Sequence, residues 1–221
     1  MLEQNHRNKH TKLKRIKKIK PSSQKWLLRQ LNDPYVQMAK KSKYRSRAAY
    51  KLIDINTKFK LFKPDLRIID LGSAPGSWSQ VALELSKNAK IIAIDLLEIH
   101  PIESVNILQG DFTQDETKLR IKNILDETQL VDVVMSDMAA NTTGHKMTDH
   151  IRTMDLCEHA YEFSISVLKP GGHFISKIFR GGTQNTLLDR IKKQFKITKH
   201  FKPQSSRKDS VEEYLIAMHK Y

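Results

Sequence analysis

The sequence predicts an α/β fold: a seven-stranded, mostly parallel sheet with helices on both faces and an antiparallel last strand. Three observations predict it. From residue 67 onward, short apolar runs alternate with amphipathic segments, the pattern of βαβ units. The runs are short and apolar, as strands covered on both faces are. The last two, 196–203 and 212–220, have no helix between them, so they should pair antiparallel at one edge.

Taken in order, QKWLLRQLN (24–32) can form a short helix that stops near Asp33 and Pro34. From Ala48 to Phe62 the apolar positions Ala48, Tyr50, Leu52, Ile53, Ile55, Phe59 and Leu61 fit a helix better than strict alternation, and Pro64 ends it. Strands follow at 67–72, 90–97, 105–111, 131–137 and 171–179. Helices are expected at 78–87, 115–125, 148–168 and 186–195. No internal repeat is present.

The net charge of +15 is concentrated at one end. Residues 1–60 hold 18 Lys or Arg against three acids, Glu3, Asp33 and Asp54, whereas residues 61–221 hold 21 basic and 21 acidic side chains. Like charges in blocks repel and build no core, so the first quarter reads as a polyanion-binding arm. A solubilising tail is the plainer alternative. Against it, Trp26, Tyr35, Tyr44 and Tyr50 are interleaved with the cations, as rings that stack on single-stranded or loop RNA are. The expected division is a basic, disordered extension over 1–20 and one domain over 21–221, whose part 21–60 contacts RNA. No apolar run approaches the roughly 20 residues needed to span a bilayer, and the basic N-terminus lacks the apolar core of a secretory signal. The single Cys157 excludes an intrachain disulfide. A cytoplasmic location is expected.

The strongest local signal is DLGSAPGSW, Asp70 to Trp78, where the first strand hands over to a helix. Ligands of open α/β sheets bind at that carboxyl end. Gly72 and Gly76 let the backbone turn and approach a ligand closely. The spacing is neither G-x-G-x-x-G nor a phosphate-binding G-x-x-x-x-G-K-S/T, and Pro75 removes an amide donor. Asp95 ends the second strand, where Rossmann-like sites bind a ribose diol, and Asp111 ends the third, where it could accept from an adenine amino group. A glycine loop and two strand-end acids describe an adenosine ligand without phosphates, and S-adenosylmethionine fits that description.

A second group consists of ionisable residues in poor places for charge. Asp137 follows VDVVMS, Lys177 lies between Ile175 and Phe179, Lys51 is in the helix before the first strand, and Glu212 opens the last strand. Surface salt bridges would explain Lys51 or Glu212 taken alone. A lysine centred in an apolar strand needs a specific partner. The fourth and fifth strands should be neighbours, which lets Asp137 and Lys177 meet. Among the histidines no cluster has metal-ligand spacing, so no metal is expected.

Together these residues resemble the FtsJ family of RNA 2′-O-methyltransferases, in its bacterial ribosomal branch. The similar blocks run in order: WLLRQLNDPYVQMAKKSKYRSRAAYKL, IDLGSAPGSWSQ, IIAIDLL, LQGDF, VVMSDMAAN, LKPGGHFISKIF and KPQSSRKDSVEEYLIA. The resemblance implies a class I methyltransferase fold with S-adenosylmethionine as cofactor. It implies methylation of a uridine 2′-hydroxyl in 23S rRNA of the large subunit, within the assembled 50S particle, by a monomer. Its Lys-Asp-Lys-Glu tetrad falls on Lys51, Asp137, Lys177 and Glu212, with Glu213 next to Glu212 leaving the acid open by one position. Its cofactor positions fall on Gly76, Trp78, Asp95, Asp111 and Asp137. Ser77 and Ala140 depart from the glycine and proline usual there, and residues 179–184 differ from the usual acidic loop.

The implied reaction is in-line displacement at an activated methyl, which asks the protein to position reactants and remove a proton. An ordinary lysine, with a pKa of about 10.4, holds its proton at neutral pH. Burial of Lys177 near Lys51 would lower that basicity, making Lys177 the expected base or orienting group. Two other classes share part of the pattern. A dehydrogenase would share the sheet but predicts G-x-G-x-x-G, and a non-catalytic RNA-binding assembly factor would share the arm but not need Lys177 and Asp137. Within the family, tRNA is the alternative substrate.

Overall fold

A computed structural model describes residues 21–125, 130–140, 143–180 and 185–221. The basic extension 1–20 lies outside them. The strands are β1 (Arg67–Leu71), β2 (Lys90–Asp95), β3 (Val105–Gln109), β4 (Val131–Ser136), β5 (Leu168–Phe179), β6 (Phe195–Phe201) and β7 (Glu212–Lys220). They form one sheet in the order β3-β2-β1-β4-β5-β7-β6. β1 to β5 are mutually parallel, and β7 runs antiparallel to both β5 and β6. The strand order reverses between β1 and β4, which opens the crevice that ligands of such sheets use.

The hairpin lies at the edge, and its second strand takes the inner place. Composition explains the choice. Glu213 to Met218 of β7 are all buried, whereas β6 carries exposed Lys196, Ile197, Lys199 and His200. The apolar strand goes inside and the charged one takes the edge, which also protects the sheet from further pairing.

Seven helices accompany the sheet: α1 (Pro21–Asn32), α2 (Pro34–Lys41), α3 (Ala49–Phe59), α4 (Ser77–Leu85), α5 (Asp115–Leu125), α6 (Lys146–Val167) and α7 (Asn185–Gln194). α3 and α4 cover one face, packing Leu52, Ile55, Trp78 and Val81 on Ile68, Val133, Met135, Ile175 and Tyr214. α5, α6 and α7 cover the other, packing Ile121, Ala160 and Ile191 on Ile69, Val134, Phe174 and Leu215. No described helix is long and apolar enough to cross a membrane.

Two elements differ from expectation. Pro34 stops one helix and starts the next: Asp33 caps α2, accepting from the Tyr35 amide at 3.0 Å, and Pro34 occupies its first turn. α3 ends at Phe59 because Lys60 turns left-handed (φ 54°), so Leu61 and Phe62 are buried outside the helix, with the Phe62 amide donating to Asn56 Oδ1 at 3.1 Å.

Candidate active site

The loop after β1 turns through two left-handed glycines, Gly72 (φ 69°) and Gly76 (φ 102°). A Cβ on Gly72 would stand 2.0 Å from Met138 Cγ, so the loop and the segment after β4 approach closely only because no side chain intervenes. Beneath the loop, buried Asp70 Oδ2 accepts from the hydroxyls of Ser73 (2.8 Å) and Ser79 (2.7 Å). Burial pushes the Asp70 carboxyl up to about 7 despite those two hydrogen bonds.

Asp95 ends β2 as expected, whereas β3 stops at Gln109 and Asp111 lies two residues beyond it. Asp95 accepts from the amides of Ala74 and Leu97, each at 2.8 Å, and thereby ties the glycine loop to the end of β2. Asp111 accepts from the Thr113 amide (2.9 Å) and hydroxyl (2.7 Å), and the hydroxyl hydrogen bond leads in holding its carboxyl below the usual range. Each carboxylate keeps lone pairs for a ligand. Trp78 is turned inward: its indole N–H donates to the Ala48 carbonyl at 2.9 Å and its ring lies 5.6 Å from that of Tyr214. What Trp78 can present to the crevice is its amide in the first turn of α4, where amides lack intrahelical partners.

Four ionisable residues meet at the carboxyl ends of β4 and β5. Asp137 Oδ1 lies 2.8 Å from Lys177 Nζ and 3.6 Å from Lys51 Nζ. Lys177 also donates to the Asp137 carbonyl at 2.6 Å. Lys51 reaches both oxygens of Glu212, each at 3.1 Å. Burial raises the Asp137 carboxyl, but the ammonium groups of Lys177 and Lys51 outweigh it and hold the group below its ordinary value. The sheet explains the assembly. Lys177 and Tyr214 are paired across β5 and β7, so Lys177, Tyr214 and Glu212 share the face covered by α3, which brings Lys51.

Register separates Glu212 from Glu213. One residue along β7, Glu213 points to the other face, where it accepts from Arg180 Nε at 2.8 Å and lies 3.8 Å from His200. Glu212 is the acid beside Lys51.

Tyr214 is the site residue that sequence reasoning missed. Its hydroxyl donates to Asp137 Oδ1, and its ring centroid lies 5.7 Å from Lys51 Nζ. Burial and the Asp137 carboxylate push its phenol well above the ordinary value, so it remains a donor. The available signal was its position two residues after Glu212, the period of a strand face.

The basic segment is fastened to this centre. Arg45 donates to the carbonyls of Pro75 (2.9 Å), His100 (2.7 Å) and Pro101 (2.8 Å), bridging the glycine loop and the loop after β2. Tyr50 packs against both Tyr35 (5.4 Å) and Tyr44 (5.8 Å), so these rings form a cluster of their own. Trp26 lies on α1. Among the described residues no group of three or more His, Cys, Asp or Glu is placed to hold a metal ion. Cys157 is buried, which pushes its thiol up to about 11 and keeps it unreactive.

Residues 44–220 match the family model described as FtsJ-like methyltransferase. The ribosomal RNA large subunit methyltransferase E of Rickettsia akari (strain Hartford) is 58% identical over 97% of this chain and 96% of its own. The protein of the same name from Rickettsia felis is 57% identical with the same coverage. Among solved structures, a chain titled as a ribosomal RNA methyltransferase from Plasmodium falciparum aligns with a TM-score of 0.73 and 34% identity, over 80% of this chain and 98% of that one. Human methyltransferase-like protein 13 shares the fold, with a TM-score of 0.53 at 16% identity over 70% of this chain and 72% of that one. The class I methyltransferase sheet read from the sequence is thus the fold found, and the chain belongs to the FtsJ-like methyltransferase family.

Proposed function

We propose that the protein methylates the 2′-hydroxyl of a uridine in 23S ribosomal RNA of the large subunit, with S-adenosylmethionine as donor. The names of its relatives support the RNA class. One observation carries the chemistry: a buried lysine, Lys177, fixed at 2.8 Å by the carboxylate that ends β4, with a second lysine 3.6 Å from the same oxygen. The residues present suit the cofactor. Gly72 and Gly76 admit close approach, the first turn of α4 offers amides to a carboxylate, and Asp95 and Asp111 offer acceptors to a ribose diol and an amino group.

When bound, the cofactor supplies a methyl group already activated by a sulfonium, so the chain's own task is placement and proton removal. Lys177 is placed to align the attacking 2′-oxygen and would take its proton. Asp137 fixes Lys177 from two oxygens and keeps its direction. Lys51 and Glu212 sit one residue further out, where they position the ribose. The arm 21–60, with the extension 1–20, holds the RNA, and the protein works as a monomer in the cytoplasm.

Labelled S-adenosylmethionine offered with purified 50S particles, free rRNA and tRNA tests this reading. Label is expected in the large-subunit RNA, within a dinucleotide that resists alkali. Label in tRNA alone would overturn the substrate, and no label in any RNA would overturn the reading altogether.

A further inference from the structure

We propose that a basic pocket beside Lys51 binds the 3′-phosphodiester of the target ribose. This rests on RNA being the substrate. The pocket has a volume of about 420 Å³ and is walled by Arg29 of α1, Arg47 ahead of α3, and Arg207 and Asp209 of the β6–β7 loop, with Lys51 and Glu212 at its floor. The volume suits a nucleotide-sized segment.

Charge within the pocket is unbalanced. Asp33 Oδ2 serves two guanidinium groups at once, Arg47 Nε at 3.1 Å and Arg207 Nη2 at 3.4 Å. Lys51 is committed to Glu212 and Asp137. Arg29 makes no ion pair with any described residue. Three guanidinium groups from three separate segments thus line one space, Arg47 and Arg207 sharing the Asp33 carboxylate behind it, with the exposed Asp209 at the rim and Glu212 turned to Lys51. Convergent planar forks of this kind suit a phosphate. Position identifies which phosphate. The floor lysine lies 3.6 Å from Asp137, which also holds Lys177, so the pocket adjoins the place where a 2′-oxygen would sit. The nearest charged group to a 2′-oxygen along an RNA chain is its own 3′-phosphate. The pocket therefore works as a register stop: it takes the phosphate and leaves the ribose at Lys177.

The test uses the full chain, large-subunit RNA and labelled cofactor. Arg29→Gln is the decisive variant because it breaks no ion pair. It is expected to raise the RNA KM about tenfold near 0.1 M salt, and to reduce the slope of log affinity against log salt by about one. Its Tm and cofactor affinity should match the parent's. Arg207→Gln should do the same to the slope, and Asp209→Asn should tighten RNA binding. Lys122→Gln on α5, away from the pocket, should alter neither. If the parent methylates rRNA while Arg29→Gln and Arg207→Gln keep its KM and salt slope, the pocket assignment is wrong and the methyltransferase reading stands. If the parent methylates no rRNA yet the slope for rRNA binding still falls by one in Arg29→Gln, the phosphate site stands and the substrate reading fails.

Discussion

Lys177 is held twice by Asp137, through the side chain at 2.8 Å and through the backbone carbonyl at 2.6 Å. The ammonium therefore cannot swing away without breaking two bonds to the end of the neighbouring strand. Such double anchoring costs mobility and gains direction, which is what an in-line reaction needs.

Replacing Lys177 by Met keeps the volume and removes the amine. Methyl transfer at saturating RNA should fall by at least about a hundredfold, while binding of S-adenosylmethionine measured by calorimetry stays within about twofold. Near-normal transfer by Lys177→Met would remove it from the mechanism.

Adjacent acids should behave differently. Glu212→Gln takes the carboxylate from Lys51 and should slow transfer by roughly 10- to 100-fold, the worth of a charged hydrogen bond. Glu213→Gln loosens exposed Arg180 on the opposite face and should change stability by about 1 kcal/mol or less, with transfer unchanged. Rates and melting curves for the pair decide it, and an equal loss of activity in both would contradict the register.

Tyr214→Phe removes one donor from Asp137 Oδ1. The Asp137 carboxyl is held low partly by that bond, so its pKa should rise and the acid limb of the pH–rate profile should move to higher pH. The rate on the plateau should fall by less than about tenfold. An acid limb that stays in place would show that Asp137 does not need the phenol.

The strand alternation was legible, as were two of the four ionisable residues that meet at the strand ends, because a charge within or just after an apolar strand stands out in one dimension. Lys177 and Asp137 are such charges, whereas Lys51 in a helix and the choice between Glu212 and Glu213 do not stand out in that way. Tyr214 was not legible: a tyrosine in a buried strand looks like core, and only its register against Lys177 reveals that its hydroxyl reaches a carboxylate. The second helix was missed because Asp33-Pro34 ends one helix and caps the next, and a proline read as a stop hides its use as a start. The inner position of β7 needed a comparison between the two hairpin strands, since adjacency in sequence does not say which strand is covered. The grouping of Arg29, Arg47 and Arg207 depends on a loop folding back across the whole chain, which spacing does not encode.

Asp70 gives the protein a pH dependence of its own. Its carboxyl is raised from 3.8 to about 7, so between those values the native state keeps a proton that the unfolded chain has lost. Stability from this group is present in full below pH 3.8 and declines as pH rises through about 7, then levels off. Asp70→Asn, neutral throughout, should flatten that part of the curve of urea midpoint against pH. Parallel curves for the two proteins would show that Asp70 is ionised in the native state across this range.

The inner place of β7 sets an order of assembly. Lys51 and Glu212 are 161 residues apart in the chain, and Asp33 and Arg207 are 174 apart. A growing chain that has made β1 to β5 already holds Lys51, Asp137 and Lys177, yet has neither the Glu212 carboxylate for Lys51 nor the phenol for Asp137. Insertion of β7 between its two neighbours brings both at once and closes the basic pocket in the same event. Competence to methylate should therefore arrive late in synthesis, when β7 completes the centre, although the basic arm is made first.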